Sequence, residues 1–178
     1  MVKKAVLLCL SFCFVQSFFG QGRNRFFSDS SLMLVGSYYY PEQWPKDNWA
    51  RDLKKMGELG FDFTHFGEFA WAAMEPEEGR YDFSWLDEAV KIAEKNHLKV
   101  IMCTPTPTPP AWLTKKYPEV LMVNDEGRTI RHGARQHASW SSKKYREYVE
   151  KIVTILARRY GNNKAVWGWQ IDNEPSHY

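Results

Sequence analysis

Cysteine is scarce in this sequence: three among 178 residues, two of them, Cys9 and Cys13, within the first twenty positions. Loss of that stretch leaves Cys103 alone, so no disulfide can close within the mature chain. Basic blocks are missing as well. The formal net charge of +3 falls to +1 once Lys3 and Lys4 are removed, and no run of like charge marks a nucleic-acid surface. Nor does a glycine-rich phosphate loop follow the first predicted strand, where the sequence from Gly36 reads Gly-Ser-Tyr-Tyr-Tyr-Pro. That absence argues against a nucleotide-binding sheet.

The first residues read as a secretory leader. Lys3 and Lys4 supply a positive start, and Ala5 to Val15 is an almost unbroken apolar run too short to span a bilayer. Cleavage is expected after Ser17 or Gly20, with Gly20 favoured, and an uncleaved anchor is the alternative. Phe12 rather than a small residue precedes Cys13, which argues against a lipoprotein. The expected organisation is a signal peptide over 1–20, a polar linker over 21–31 and one catalytic segment over 32–178. Export without disulfides fits a periplasmic protein, with no membrane contact after cleavage.

Aromatic residues, by contrast, are plentiful, with eight Trp and nine Tyr. They suit either a large aromatic core or the stacking of sugar rings on aromatic faces. From position 32 onward, strand-like and helix-like segments alternate. Strands are expected over Leu32–Tyr40, Phe61–Phe66, Leu98–Cys103 and Ala165–Ile171. Helices are expected at Asp47–Leu59, from Ser84, and from Ser141 or Ser142, each with an apolar face of helical period. The first of these faces is Trp49, Leu53, Met56 and Leu59. Such alternation means βα units around a parallel sheet. The long strand-to-helix loops carry the unusual residues, whereas the helix-to-strand connections are minimal. A barrel enzyme needs that asymmetry. The fold class is therefore α/β, a (β/α)8 TIM barrel of which about the first four βα units are present. Four strands alone would leave two sheet edges bare, which reads as a partial coding region.

The strongest chemical signal is Trp169-Gln170-Ile171-Asp172-Asn173-Glu174-Pro175. A buried strand runs into an Asn-Glu pair and is stopped by proline. Glycoside hydrolysis needs a carboxylic acid beside the glycosidic oxygen, to donate a proton as the bond breaks. Glu174 is placed for that, and Asn173 beside it can bind a sugar hydroxyl. The plainer reading is an Asx turn with a solvated Glu.

The chain resembles glycoside hydrolase family 42, the β-galactosidases built on a (β/α)8 barrel. The matching stretches are Tyr39 to Pro45, Gly67 to Trp71, Glu75 to Phe83, Thr104 to Leu113, Tyr117 to Glu119 and Gly168 to Glu174. The resemblance implies that Glu174 is the acid/base, that Asn173 binds the 2-OH, and that Arg135 lines the −1 subsite. It also implies that the nucleophile lies far downstream, with none in this chain, and that three copies assemble by family analogy. Neither a cofactor nor a metal is called for. Some members hold structural zinc through four cysteines. Here the first of those places is Ser139, and Cys103 alone cannot supply the set. Where the family often carries Arg, this chain has His65, which either alters the subsite or, the favoured reading, is a packed strand residue.

Other residues carry lesser expectations. Glu68 ends the second strand and reads as a paired carboxylate near the barrel mouth rather than a catalytic one. Trp71 and Trp112 are candidate sugar platforms, though Trp112, after a stiff proline run, reads equally as core. The Thr-Pro alternation over 104–110 reads as a rigid pocket wall, though it could pass for a proline-rich ligand. His132, His137 and His177 lack helical metal spacing and read as surface or subsite residues. The expected function is a retaining exo-β-galactosidase acting on galactosides or oligosaccharides, inactive as an isolated segment. The alternatives are a relative cleaving an arabinopyranoside, a mannoside or an algal galactan, and a non-catalytic carbohydrate-binding remnant.

Overall fold

The computed structural model of the protein describes residues 33–134 and 136–174. The expected leader, the linker and Leu32 therefore lie outside the described residues, as do Arg135 and His177. Backbone contacts divide the chain into residues 1–33 and 34–178, and the second unit holds the fold.

Four strands form one parallel sheet in sequence order: β1 (Gly36–Tyr38), β2 (Phe63–Phe66), β3 (Lys99–Cys103) and β4 (Val166–Gln170). Helices α1 (Lys46–Glu58), α2 (Trp71–Met74), α3 (Ser84–Lys95), α4 (Ala111–Lys116) and α5 (Lys143–Tyr160) fill the crossovers. This is the expected βα alternation, with shorter strands. Register sets Tyr38 beside His65 and Cys103 beside Gln170. Among the described residues β1 and β4 each pair with one neighbour only.

The sheet curls. Tyr38 Oη on β1 donates to Gln170 Oε1 on β4 at 2.9 Å. Three strand spacings would separate the two by roughly 14 Å in a flat sheet. Side chains standing perpendicular to a sheet can meet over that span only across a concave face. That concavity is the inside of an arc of barrel.

Helix faces follow the apolar periodicity. Leu86, Ala89, Val90 and Ala93 of α3 are all buried, as are Tyr145, Tyr148, Ile152 and Leu156 of α5. Burying the larger of these side chains contributes roughly 1.5–3 kcal/mol each. On α1, Trp49 and Leu53 are buried, but Leu59 is not: it follows the helix as its C-cap and stands in solvent. Gly60 then closes α1 with φ +84°, where an L side chain would be strained. Ser142 caps α5 by accepting from Tyr145 N–H at 3.2 Å. Ser84, where the sequence predicts this helix to start, is not its N-cap. It is the first helical residue, and the Asp82 carboxylate accepts from its N–H at 2.9 Å and from its hydroxyl at 2.6 Å.

One helix contact reverses a simple propensity argument. Alanine exceeds glycine by about 1 kcal/mol in a helix interior. A Cβ on Gly57 of α1 would lie 2.6 Å from the Asn96 carbonyl oxygen at the end of α3. Backbone cannot yield as a flexible side chain can. Gly57→Ala is expected to destabilise by about 1–3 kcal/mol, read as a lowered thermal midpoint. An unchanged or raised midpoint would show that α1 and α3 are not this close.

Candidate active site

The tip of β4 is unusual backbone. Asp172 has φ +60° and Glu174 φ +46°, so two non-glycine residues flanking Asn173 are left-handed. Such positions cost on the order of 1–3 kcal/mol each and persist only where the surroundings enforce them. Here other segments do so. Asp172 N–H donates to Thr104 Oγ1 at 2.9 Å, and Thr106 Oγ1 donates to Asp172 Oδ1 at 3.0 Å. Trp140 Nε1 donates to Asp172 Oδ2 at 3.0 Å. Gln136 Nε2 donates to the Asn173 and Glu174 carbonyls. Thr104, Thr106 and Gln136 are buried, so their bonds are sheltered from water, while that of Trp140 lies at the surface. Asp172 is thus an anchor.

A second network crosses the inner face at the strand ends. Glu68, buried, accepts from Tyr40 Oη at 2.9 Å and from Gln170 Nε2 at 2.7 Å. Gln170 Oε1, an acceptor, faces His65 Nδ1 at 3.1 Å. These bonds assign the proton of His65 to Nδ1. Burial, the largest influence, lowers the imidazole's affinity for a second proton. The Tyr40 and Tyr38 phenols are pushed above their ordinary range, first by burial and then by the Glu68 charge. Burial likewise pushes the Cys103 thiol up to about 12, with Glu68 and Glu42 adding to it. The thiol stays protonated and unreactive. Glu42, in the turn after β1, is also held above the usual carboxylate range, chiefly by burial.

Above this floor lies a cleft of about 840 Å³, inside the roughly 300–1,000 Å³ range of small-molecule sites. The segments that follow all four strands reach it, through Tyr40, Phe69, Pro109, His132, Asn173 and Glu174 among others. Glu174 is exposed and Asn173 half-buried there. Tyr38, Tyr40 and Phe69 form an aromatic strip. Successive ring centroids are 6.0 and 5.9 Å apart, with planes inclined by 17° and 21°.

The rim differs from the expected one. Trp71 is 0% exposed, donates through Nε1 to Glu75 Oε2 at 2.9 Å and packs beside Tyr145. Trp112 donates to the Glu75 carbonyl at 2.8 Å and meets Tyr148 edge-on. Neither lines the cleft. Both were expected to stack on sugar, but both are turned into the wall, because each indole N–H needs a buried acceptor. Tyrosine and phenylalanine form the rim instead. The Tyr-Tyr-Pro run and the position of Phe69 after the second strand were visible signals for it. Nothing in the sequence pointed to Gln136 or Asp172 as supports. Among the histidines, His132 and His137 both line the cleft, His137 with almost no exposed surface. Ser139 pairs through its N–H with the Val120 carbonyl at 2.8 Å.

Parallel βα units, a curled sheet and a carboxyl at a strand tip above an open cleft define a site of the barrel glycosidase class. Comparison with known proteins agrees. The model of glycoside hydrolase family 42, described as β-galactosidase, matches residues 38–178, and the chain belongs to that family. A β-galactosidase of Thermus thermophilus is 51% identical over 141 residues, which are 79% of this chain and 22% of the relative. The solved cold-adapted β-galactosidase of Rahnella sp. R3 superposes with a TM-score of 0.81 at 39% identity, covering 86% of this chain and 23% of that one. The enzyme of the psychrophilic Marinomonas ef1 gives a TM-score of 0.77 at 43% identity, covering 80% and 22%. The chain therefore spans about a fifth of the length of these relatives, as four βα units of the (β/α)8 fold.

Proposed function

We propose that the protein hydrolyses terminal β-D-galactosides with retention of configuration, Glu174 acting as acid/base. The observation that carries this is the clamped β4 tip, which presents Asn173 and Glu174 to the cleft. Glu174 gives its proton to the glycosidic oxygen as the C–O bond breaks, and the freed alcohol leaves. A second carboxylate, about 5–5.5 Å away in retaining enzymes, forms the glycosyl intermediate. Glu174 then takes a proton from the attacking water and is restored. Asn173 binds the 2-OH, and Arg135 lines the −1 subsite, as the family resemblance implies. Both carboxylate oxygens of Glu68 already accept hydrogen bonds, so Glu68 braces the floor. The nucleophile comes from further strands of a full-length protein, which is exported on its N-terminal leader and assembles from three copies.

The test compares two preparations. The full-length protein should cleave nitrophenyl β-galactoside and release β-galactose as the first anomer, seen by proton NMR. The purified 178-residue chain should not turn over. Release of the α-anomer would sink retention, and turnover by the short chain would place the nucleophile inside it.

A further inference from the structure

The loop between β3 and α5 brings an imidazole to the cleft with its polarity fixed. His132 Nδ1 lies 3.0 Å from Thr114 Oγ1. The single Thr114 hydroxyl proton is directed to the Ala111 carbonyl at 3.2 Å. Both contacts are made together only when Oγ1 accepts from His132, which puts the ring proton on Nδ1. In the neutral ring Nε2 is then a lone-pair acceptor. His137 steadies this arrangement. It is 2% exposed, its ring meets that of His132 edge-on with centroids 4.7 Å apart, and its Nδ1 is 2.6 Å from the Ala134 carbonyl.

Position gives the acceptor a use. Glu174 protonates the bridging oxygen, so the two parts of the substrate lie on either side of it. Tyr38, the last residue of β1, and Glu68, two residues past β2, line the cleft close to the strand ends, with Phe69 beside Glu68; His132 lines it from the long segment between β3 and α5. An aromatic face with a hydrogen-bond acceptor suits a pyranose, which has C–H faces to stack and hydroxyls to donate. A flat apolar aglycone would use the ring and leave the acceptor unmatched.

We infer that His132 Nε2 accepts a hydroxyl hydrogen from the leaving-group sugar, so that the cleft selects β-galactosyl oligosaccharides over galactosides of apolar alcohols. The inference rests on the galactosidase reading above and adds a leaving-group subsite to it.

The experiment uses the full-length protein with lactose and nitrophenyl β-galactoside as paired substrates. In His132→Ala the ratio of kcat/KM for lactose to that for the aryl substrate is expected to fall about tenfold, the scale of one well-formed hydrogen bond. The loss should sit in KM. His132→Gln, whose amide oxygen can accept, should recover most of it. A ratio unmoved by His132→Ala, or moved equally by both variants, overturns the inference. Nitrogen NMR of the imidazole supplies a readout that needs no turnover. The ligand-free ring should be the Nδ1–H tautomer, and lactose, unlike galactose, should shift Nε2. An Nε2–H tautomer, or an Nε2 signal indifferent to lactose, refutes it. Failure of the wild-type protein to cleave either substrate would instead refute the galactosidase reading, and the lactose titration would still decide the role of His132.

Discussion

Glu174→Gln in the full-length protein is expected to lower kcat/KM for lactose by about a thousandfold, within the 10²–10⁴ range of general acid–base catalysis. Glutamine keeps the shape of the side chain and loses the transferable proton. Glucose leaves poorly as an alkoxide, so its departure needs that proton. Dinitrophenolate leaves unaided, so cleavage of dinitrophenyl β-galactoside should slow far less in its first step. The slow step then becomes release of the glycosyl intermediate, where no base remains to activate water. Azide, which needs no base, should restore turnover and yield β-galactosyl azide. Stability should be little altered, because residue 174 is exposed and glutamine meets the same φ of +46°. Steady-state kinetics on the two substrates decide the matter. Equal losses on both would mean that Glu174 is not the proton donor.

Trp71→Ala should produce the largest loss of stability among single substitutions in the wall, about 3–5 kcal/mol. Trp71 is completely buried and packs beside Tyr145, centroid to centroid 6.3 Å. Its removal leaves a cavity and also deprives Glu75 Oε2 of a donor. Glu75 is 1% exposed, and a buried acceptor without a partner costs roughly 1–3 kcal/mol. Gly79 N–H still donates to Glu75 Oε1 at 2.9 Å, so the carboxylate is not stranded entirely. Urea denaturation monitored by fluorescence would show the midpoint falling. A sugar platform on the surface would behave otherwise, with the midpoint unchanged and KM raised. That outcome would restore the stacking role the structure denies to this residue.

Much of the architecture was legible because period and burial are the same information. Leu86, Ala89, Val90 and Ala93 recur at helical spacing because one stripe faces the sheet. β2 and β3 read as apolar runs because helices cover them, whereas β1 is largely exposed and β4 half-buried. Leu59 misled because periodicity continues one residue past the point where α1 ends, and an apolar residue at a cap is not obliged to be inside. The site was legible in part. Asn173 and Glu174 announced themselves as a polar pair after an apolar, β-prone run. Their supports could not be read, since Thr104, Thr106, Gln136 and Trp140 meet Asp172 and its neighbours across 32 to 68 positions of chain. Tryptophan misled for a related reason. Its area suits a sugar and a core equally, and the buried acceptor for its N–H appears only in three dimensions.

The left-handed turn at the end of the fourth strand has a practical consequence for anyone wishing to borrow it. Transplanted alone, the tripeptide Asp172-Asn173-Glu174 would relax toward ordinary backbone, and its carboxyl group would swing away from the hollow it serves. A working graft must bring the two threonines, the glutamine and the indole that grip it, drawn from two separate loops. The proposed proton donor is in this sense a property of a neighbourhood, and redesign of the Thr-Pro segment is expected to displace its carboxyl group without touching residue 174.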